Sequence, residues 1–215
     1  MMAIERFNRY QAFAAHLLLS LLFFLIVLFL ITEFWYPGFL FQSAGGWEAV
    51  GLIIGIDLIL GPLLTLIVFN TAKASLKKDL LIILVIQLAA LTAGSFTIWH
   101  TRPVAVIYHY PEFTTIYANN TIVSKISPLI QQTVNNPPVL FYDDPTGGFD
   151  ASYQKGKFYP YEPASKVIQQ MITATATEDK NTKQLLVPLD SVLNHGAKVT
   201  LDPKTFEVLS VLFTR

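Results

Sequence analysis

GLIIGIDLILGPLLTLIVF, residues 51–69, is the stretch on which the fold turns. It is long enough to cross a hydrocarbon core about 30 Å thick, which takes roughly 20 apolar residues, and Asp57 is its one charged residue. An ionisable side chain in hydrocarbon costs about 2.5–3.5 kcal/mol on insertion scales and normally has a protein or water partner. Entered from Val50, the helix carries Asp57 roughly 10 Å deep at about 1.5 Å per residue. Two faces can be drawn on it. Gly51 and Gly55 form a GxxxG pair which, with Leu58 and Pro62, makes a small-residue stripe suited to close helix packing. Asp57, Gly61 and Thr65 recur four residues apart on the other side. With Pro62, they are the expected intramembrane contact for a foreign helix. Pro62 has no N–H for the carbonyl of Leu58, so a kink is expected at Gly61-Pro62. The same residues also suit a purely structural role, in which Asp57 pairs inside its own bundle, and the spacing alone leaves both readings open.

Two further apolar stretches flank this one. The spans are placed at about residues 17–36, which contain LLLSLLFFLIVLFLI, at 50–69, and at 80–99, where Gln87 is the most polar member. Each is apolar all round, as lipid-exposed or fully buried helices are. Thr92 and Ser95 on the returning third helix are expected at the depth of Asp57, as its hydrogen-bond partners within the bundle. Orientation follows from the basic residues between the spans. Arg6 and Arg9 precede the first span, only Glu33 and Glu48 separate the first from the second, and Lys73, Lys77 and Lys78 follow the second. The N-terminus and the Lys loop are therefore expected in the cytoplasm, and everything after Trp99 outside it. Phe34, Trp35, Tyr36, Trp47 and Trp99 all fall on the outer side, where interfacial aromatics belong. Read instead as a cleaved signal peptide, the first stretch is long for an h-region and lacks a small-residue cleavage site. Either way the C-terminal domain lies on the same side.

Composition agrees. Of 215 residues, 53% are hydrophobic and only 14% charged, against about 25% charged in a typical soluble domain. The deficit is local, because Glu33, Glu48 and Asp57 are the only charges between Arg9 and Lys73. A net charge of zero selects no polyanionic partner, and no nucleic acid is expected. The lack of cysteine excludes disulfides, thiolate metal sites and thiol nucleophiles. His16 and His100 are placed at opposite membrane interfaces, unable to share a site.

Residues 55–69, KASLKKDL at 73–80, Gln87, Gly94 and Arg102-Pro103 together resemble the type IV pilin accessory proteins, inner-membrane proteins usually encoded beside a major pilin. The resemblance covers roughly residues 1–110, and less strictly LDPKTFEVLSVL at 201–212. It departs at Tyr110-Pro111-Glu112-Phe113, where the family tends to carry Asp-Arg-Phe after its first periplasmic strand. It implies a protein of the bacterial inner membrane that helps a cognate major pilin to be stable or to be assembled. Platform components of the pilus and the lipid bilayer are further expected contacts.

Residues 103–215 are enough for one small soluble domain. Residues 104–110 (VAVIYHY) read as a strand, 113–118 as its hairpin partner, and 139–142 as another strand. Ser127-Pro128 reads as the start of a helix over 128–134. Apolar residues at 164, 167, 168, 171 and 172 predict a helix over 163–175. Residues 199–201 and 206–212 flank a turn at Asp202-Pro203-Lys204-Thr205. The expected architecture is three transmembrane helices in residues 1–102, followed by a periplasmic α+β domain in 103–215.

No catalytic constellation stands out, and neither enzyme activity, a metal nor a cofactor is expected. Residues 143–148 (DDPTGG) lack the spaced carboxylates of a calcium loop and the Lys of a P-loop. His109 and His195 read as structural histidines. In FDASYQKGKFYPY, residues 149–161, Tyr153, Phe158, Tyr159 and Tyr161 are candidate partner-binding residues, since Tyr joins an apolar body to a hydrogen-bonding tip. Beside the chaperone-like assembly role stand two others: a membrane-anchored sensor or modulator of the pilus machinery, and a small membrane enzyme or transporter using Asp57 for protons.

Overall fold

The computed structural model describes residues 8–36, 38–133, 137–144, 156–190 and 196–212. The chain forms two compact units. One comprises Met1–Phe34 with Trp47–Trp99, and the other Trp35–Gly46 with His100–Arg215.

The first unit is built on three helices long and apolar enough to cross a membrane, Arg9–Trp35, Gly46–Val68 and Leu76–His100. α1 (Arg9–Leu30) begins at a capping box. The Asn8 side chain accepts from the Gln11 N–H, and the Gln11 side chain accepts from the Asn8 N–H, so two helix-end donors are satisfied reciprocally. The helix ends in a π-helical turn, Ile31–Trp35. A short helix, α2 (Leu40–Ser43), follows and belongs to the second unit. The second long helix is composite: α3 (Gly46–Ile53), a π-helical segment Ile54–Leu60, and α4 (Gly61–Val68). The disturbance expected at Gly61-Pro62 takes this form. Gly61 N–H bonds the carbonyl of Ile56, five residues back, and Pro62 falls in the first turn of α4, where a missing N–H does least harm. α5 (Leu76–His100) is the third long helix. Leu18, Leu22, Ile67 and Ile86 are among many large apolar side chains left exposed on this unit, a surface that suits lipid better than water.

The second unit holds a mixed sheet of eight strands among the described residues. They are β1 (Pro103–His109), β2 (Glu112–Tyr117), β3 (Val139–Asp143), β4 (Lys157–Pro160), β5 (Thr177–Glu178), β6 (Leu185–Asp190), β7 (Lys198–Leu201) and β8 (Val208–Leu212). Their order is β4-β3-β1-β2-β6-β7-β8, with β5 paired to β6. Neighbours run antiparallel except β1 with β3 and β2 with β6, which are parallel. Helix α6 (Val123–Ile130) covers one face and α7 (Lys166–Thr175) the other. β1 shows why VAVIYHY lacks polar alternation. Ala105 and Ile107 pack with Ile126 of α6, and Val106 and Tyr108 with Ile168 and Ile172 of α7. A strand buried on both faces is apolar throughout. Burial pushes the Tyr108 phenol up to about 12. Leu40 of α2, wholly buried, joins the cluster on the α7 side.

Several expectations change. α6 starts at Val123 and carries Pro128 inside it; its N-cap is Ile122, not Ser127, and the turn just before it is held by the Asn120 side chain, which accepts from the Ile122 N–H at 3.0 Å. α7 starts at Lys166, leaving Ala164 outside, and Val167 faces outward. The Pro163 carbonyl accepts from the Gln169 side chain at 2.8 Å. Phe206 is no strand residue: its φ of 59° puts it in the left-handed region, and β8 begins two residues later. β4, β5 and β6 had not been expected. His109 is a buried structural histidine as expected, its Nε2 2.6 Å from Thr114 Oγ1, and burial pushes its pKa down. His195 and residues 145–148 lie outside the described residues.

Candidate functional site

Among the three apolar helices, polar side chains gather at one place. Asp57, on the π-helical segment, is 7% exposed. Gly61, Pro62 and Thr65 of α4 are buried on the same side. Facing them, His16 of α1 places Nδ1 2.6 Å from Thr65 Oγ1, a hydrogen bond between helices. Ser20, one turn further along α1, is buried too. α5 contributes Gln87. A methyl group added at Gly61 would land on the Gln87 side-chain amide, so glycine is what lets that amide approach the α4 backbone. His16, Ser20, Asp57 and Gln87 line a small cavity of about 50 Å³, with apolar side chains such as Phe23 and Leu88 forming the rest of its wall.

The wider turn has a part in this. A π-helical segment shifts the side chains beyond it relative to those before it, and such turns are frequent at functional sites. Here the segment carries Asp57, while Gly61 and Thr65 lie on the regular helix beyond. All three face inward.

The faces of this helix are therefore assigned differently from the sequence expectation. Asp57, Gly61, Pro62 and Thr65, expected to meet a foreign helix, are buried among the protein's own helices. Gly51 and Gly55, expected to pack the bundle, are exposed, and an added Cβ at either would meet nothing within 4 Å. Thr92 is exposed and donates to the Leu88 carbonyl of its own helix at 2.7 Å, and Ser95 is half-buried. Neither lines the cavity that Asp57 shares with Gln87. The reason is depth. The helix starts at Gly46, so Asp57 sits at its middle, about as far before Val68 as Gln87 lies after Leu76. Residues equally far from the connection meet when two helices run antiparallel. His16 was the residue missed, and its signal was the four-residue spacing to Ser20, which puts both polar groups on one face of an otherwise apolar helix.

In the sheet domain the aromatic candidates separate. Tyr159 is exposed at 44%, while Phe158 is half-buried against the Tyr142 ring, with centroids 5.1 Å apart. Tyr161 is core, 5% exposed, and its hydroxyl donates to the Phe206 carbonyl at 2.8 Å. Burial, and then the neighbouring Tyr108, push its pKa up. Alternation along β4 accounts for the difference between Phe158 and Tyr159. Tyr153 lies outside the described residues.

Relatives carry a shared description. The chain is 41% identical over 96 residues to the fimbrial assembly protein of serogroups C1 and C2 of Dichelobacter nodosus, covering 43% of this chain and 72% of that protein. It is 34% identical over 114 residues to the serogroup I protein of the same organism, covering 52% of this chain and 44% of the relative. To the serogroup E1 protein it is 41% identical over 96 residues, covering 43% of this chain and 37% of the relative. The matches to the last two thus span less than half of those proteins. No family model matches the chain, and no solved structure matches it. Sequence identity of this degree across most of the serogroup C1 and C2 protein agrees with the resemblance carried by residues 55–69, and the chain belongs to the family of these fimbrial assembly proteins, the type IV pilin accessory family.

Proposed function

We propose that this protein crosses a bacterial inner membrane three times, with its N-terminus in the cytoplasm and its sheet domain in the periplasm, and there assists type IV pilus assembly without catalysing a reaction. Its role is to hold the apolar helix of a cognate major pilin laterally until the subunit joins the pilus. The relatives are named for fimbrial assembly. The structural observation that carries the mechanism is the inward turn of Asp57, Gly61 and Thr65, together with the open backbone at Gly51 and Gly55. The polar cluster sets the shape of the bundle, since interhelical hydrogen bonds and close packing replace the hydrophobic effect in lipid. The Gly51/Gly55 face is then left for a second helix to approach closely.

Deletion with a count of surface pili and a measurement of pilin level tests the role, and loss of pili is the expected result. Co-purification tests the mechanism. Gly51→Leu with Gly55→Leu lowers recovered pilin while the accessory protein keeps its level in the membrane. Unchanged recovery overturns lateral contact at this face.

A further inference from the structure

The sheet domain has a groove of about 770 Å³ whose walls include Phe39, Pro160, Tyr161, Glu162, Glu207 and Leu209. That size is in the usual range for binding clefts, roughly 300–1,000 Å³. It lies where the chain leaves β4 and enters β8, the two outermost strands of the sheet. Tyr161, one of its lining residues, donates its hydroxyl to the Phe206 carbonyl at 2.8 Å.

Three features single it out. First, its acidic groups are unmatched. Glu162 and Glu207 are both exposed, and neither forms an ion pair with a described residue. Second, among the described residues β8 is an edge strand, it starts in the groove, and its outer backbone groups form a template for another strand. Leu209 and Leu212 remain 47% and 40% exposed along it. Third, the residue that leads into β8 is held in an unfavourable backbone. Phe206 has a φ of 59°, a conformation that residues other than glycine keep only where the surroundings impose it, commonly at binding sites. Here Tyr161 holds the Phe206 carbonyl, and the Asp202 carbonyl accepts from the Phe206 N–H at 2.9 Å. Glu207, Val208 and Leu209, which follow Phe206, line the groove.

We propose that this groove docks an extended, basic segment of a partner protein, which adds to the open edge of β8 and sets a Lys or Arg side chain between Glu162 and Glu207. Main-chain bonds to the edge supply affinity, and the alternate side chains supply selectivity, as in other strand-addition complexes. Apolar residues of the segment cover Leu209 and Phe39, and its cation answers two carboxylates that form no ion pair among the described residues. The docking is independent of the lateral helix contact, because all of its residues belong to the sheet unit.

The test uses the full chain in nanodiscs of zwitterionic phosphatidylcholine, with a short fluorescent peptide of alternating Val and Lys as the probe. Saturable binding is expected. It should weaken about tenfold in the Glu162→Gln/Glu207→Gln double variant, the scale of a lost charge-assisted hydrogen bond. The Glu178→Gln variant, altered at a carboxylate outside the groove, should bind as the parent does. Both glutamates are exposed, so an unchanged melting temperature confirms that the double variant folds. A Val and Glu peptide that binds equally well overturns the proposal. So does full affinity in the double variant, equal weakening in Glu178→Gln, absence of saturable binding, or a groove occupied by a second copy of the chain.

Discussion

His16 Nδ1 and Thr65 Oγ1 lie 2.6 Å apart, joining the first apolar helix to the second close to the end of the latter. Where helices lie in a membrane, as proposed for these, a bond of this kind is worth about 0.6 kcal/mol on average and up to roughly 1.7 kcal/mol. Thr65→Val keeps the shape of the side chain and removes the hydroxyl. It should cost about 1 kcal/mol in reversible unfolding in detergent micelles, and Thr65→Ser should restore most of that. The coupling is read from a double-mutant cycle with His16→Leu. A coupling energy near zero would show that the two side chains are merely neighbours.

Gly61 and Gly55 should answer the same substitution differently. Gly61→Ala puts a methyl on the Gln87 amide; because that amide is the far end of a flexible side chain and can swing aside, the cost lies near the lower end of the range of about 1–3 kcal/mol that overpacking brings. Gly55→Ala meets open space and should be neutral or slightly stabilising, because alanine favours helix by about 1 kcal/mol over glycine. Gln87→Ala in the Gly61→Ala background makes room and should recover part of the loss. Thermal unfolding of the three variants measures this, and equal effects at the two glycines would contradict the inward position of Gly61.

Asp179 and Asp202 organise the same turn twice. Asp179 Oδ1 accepts from the N–H groups of Asn181 and Thr182, and the Lys183 N–H returns to the Asp179 carbonyl. Asp202 Oδ1 accepts from Lys204 and Thr205, and the Phe206 N–H returns to the Asp202 carbonyl. Backbone donors hold both carboxyls below their usual range, with Thr182 the leading donor at Asp179 and Thr205 at Asp202. Their folded pKa values are depressed, so the stabilisation is fully present above the unfolded value of about 3.9 and is lost as pH falls through the folded value. Asp179→Ala and Asp202→Ala should each lower the melting temperature at pH 7 and converge on the parent in strong acid. A gap that persisted undiminished in acid would assign the effect to something other than the charge. The fifth residue of each turn, Lys183 or Phe206, is left-handed. At Lys183 a glycine should stabilise, because relief of that backbone, about 1 kcal/mol, exceeds the entropy added to the unfolded chain, roughly 0.5 kcal/mol. At Phe206 it should destabilise, because the ring packs against the core.

Much of the architecture was legible because it rests on local rules. The three apolar stretches appear as long helices since length and composition alone decide whether a helix suits hydrocarbon. The β1–β2 hairpin follows from two apolar runs separated by Tyr110-Pro111. The strands missed are those whose neighbours define them. β6 carries Pro188, which argues against a strand when read alone, yet Pro188 is exposed and its residues pair with both β7 and β2. β4 hides in an aromatic stretch, and only pairing with β3 gives it a register.

The candidate site divides in the same way. That Asp57 needs a partner was determined by the sequence itself, since an acid inside an apolar helix is costly wherever it sits. That Pro62 disturbs the helix was determined too, because its missing N–H is a covalent property. Which polar residues share a cavity with Asp57, and which face of the helix stays open, depended on helix length, on the widened turn at Ile54–Leu60 and on the helices packed alongside. Those are relations among segments far apart in the chain. Leu40 is the plainest case: it lies between two apolar helices in sequence, yet is wholly buried in the core of the sheet unit. Periodicity reports which face of an element is apolar, and tertiary packing alone decides what that face meets.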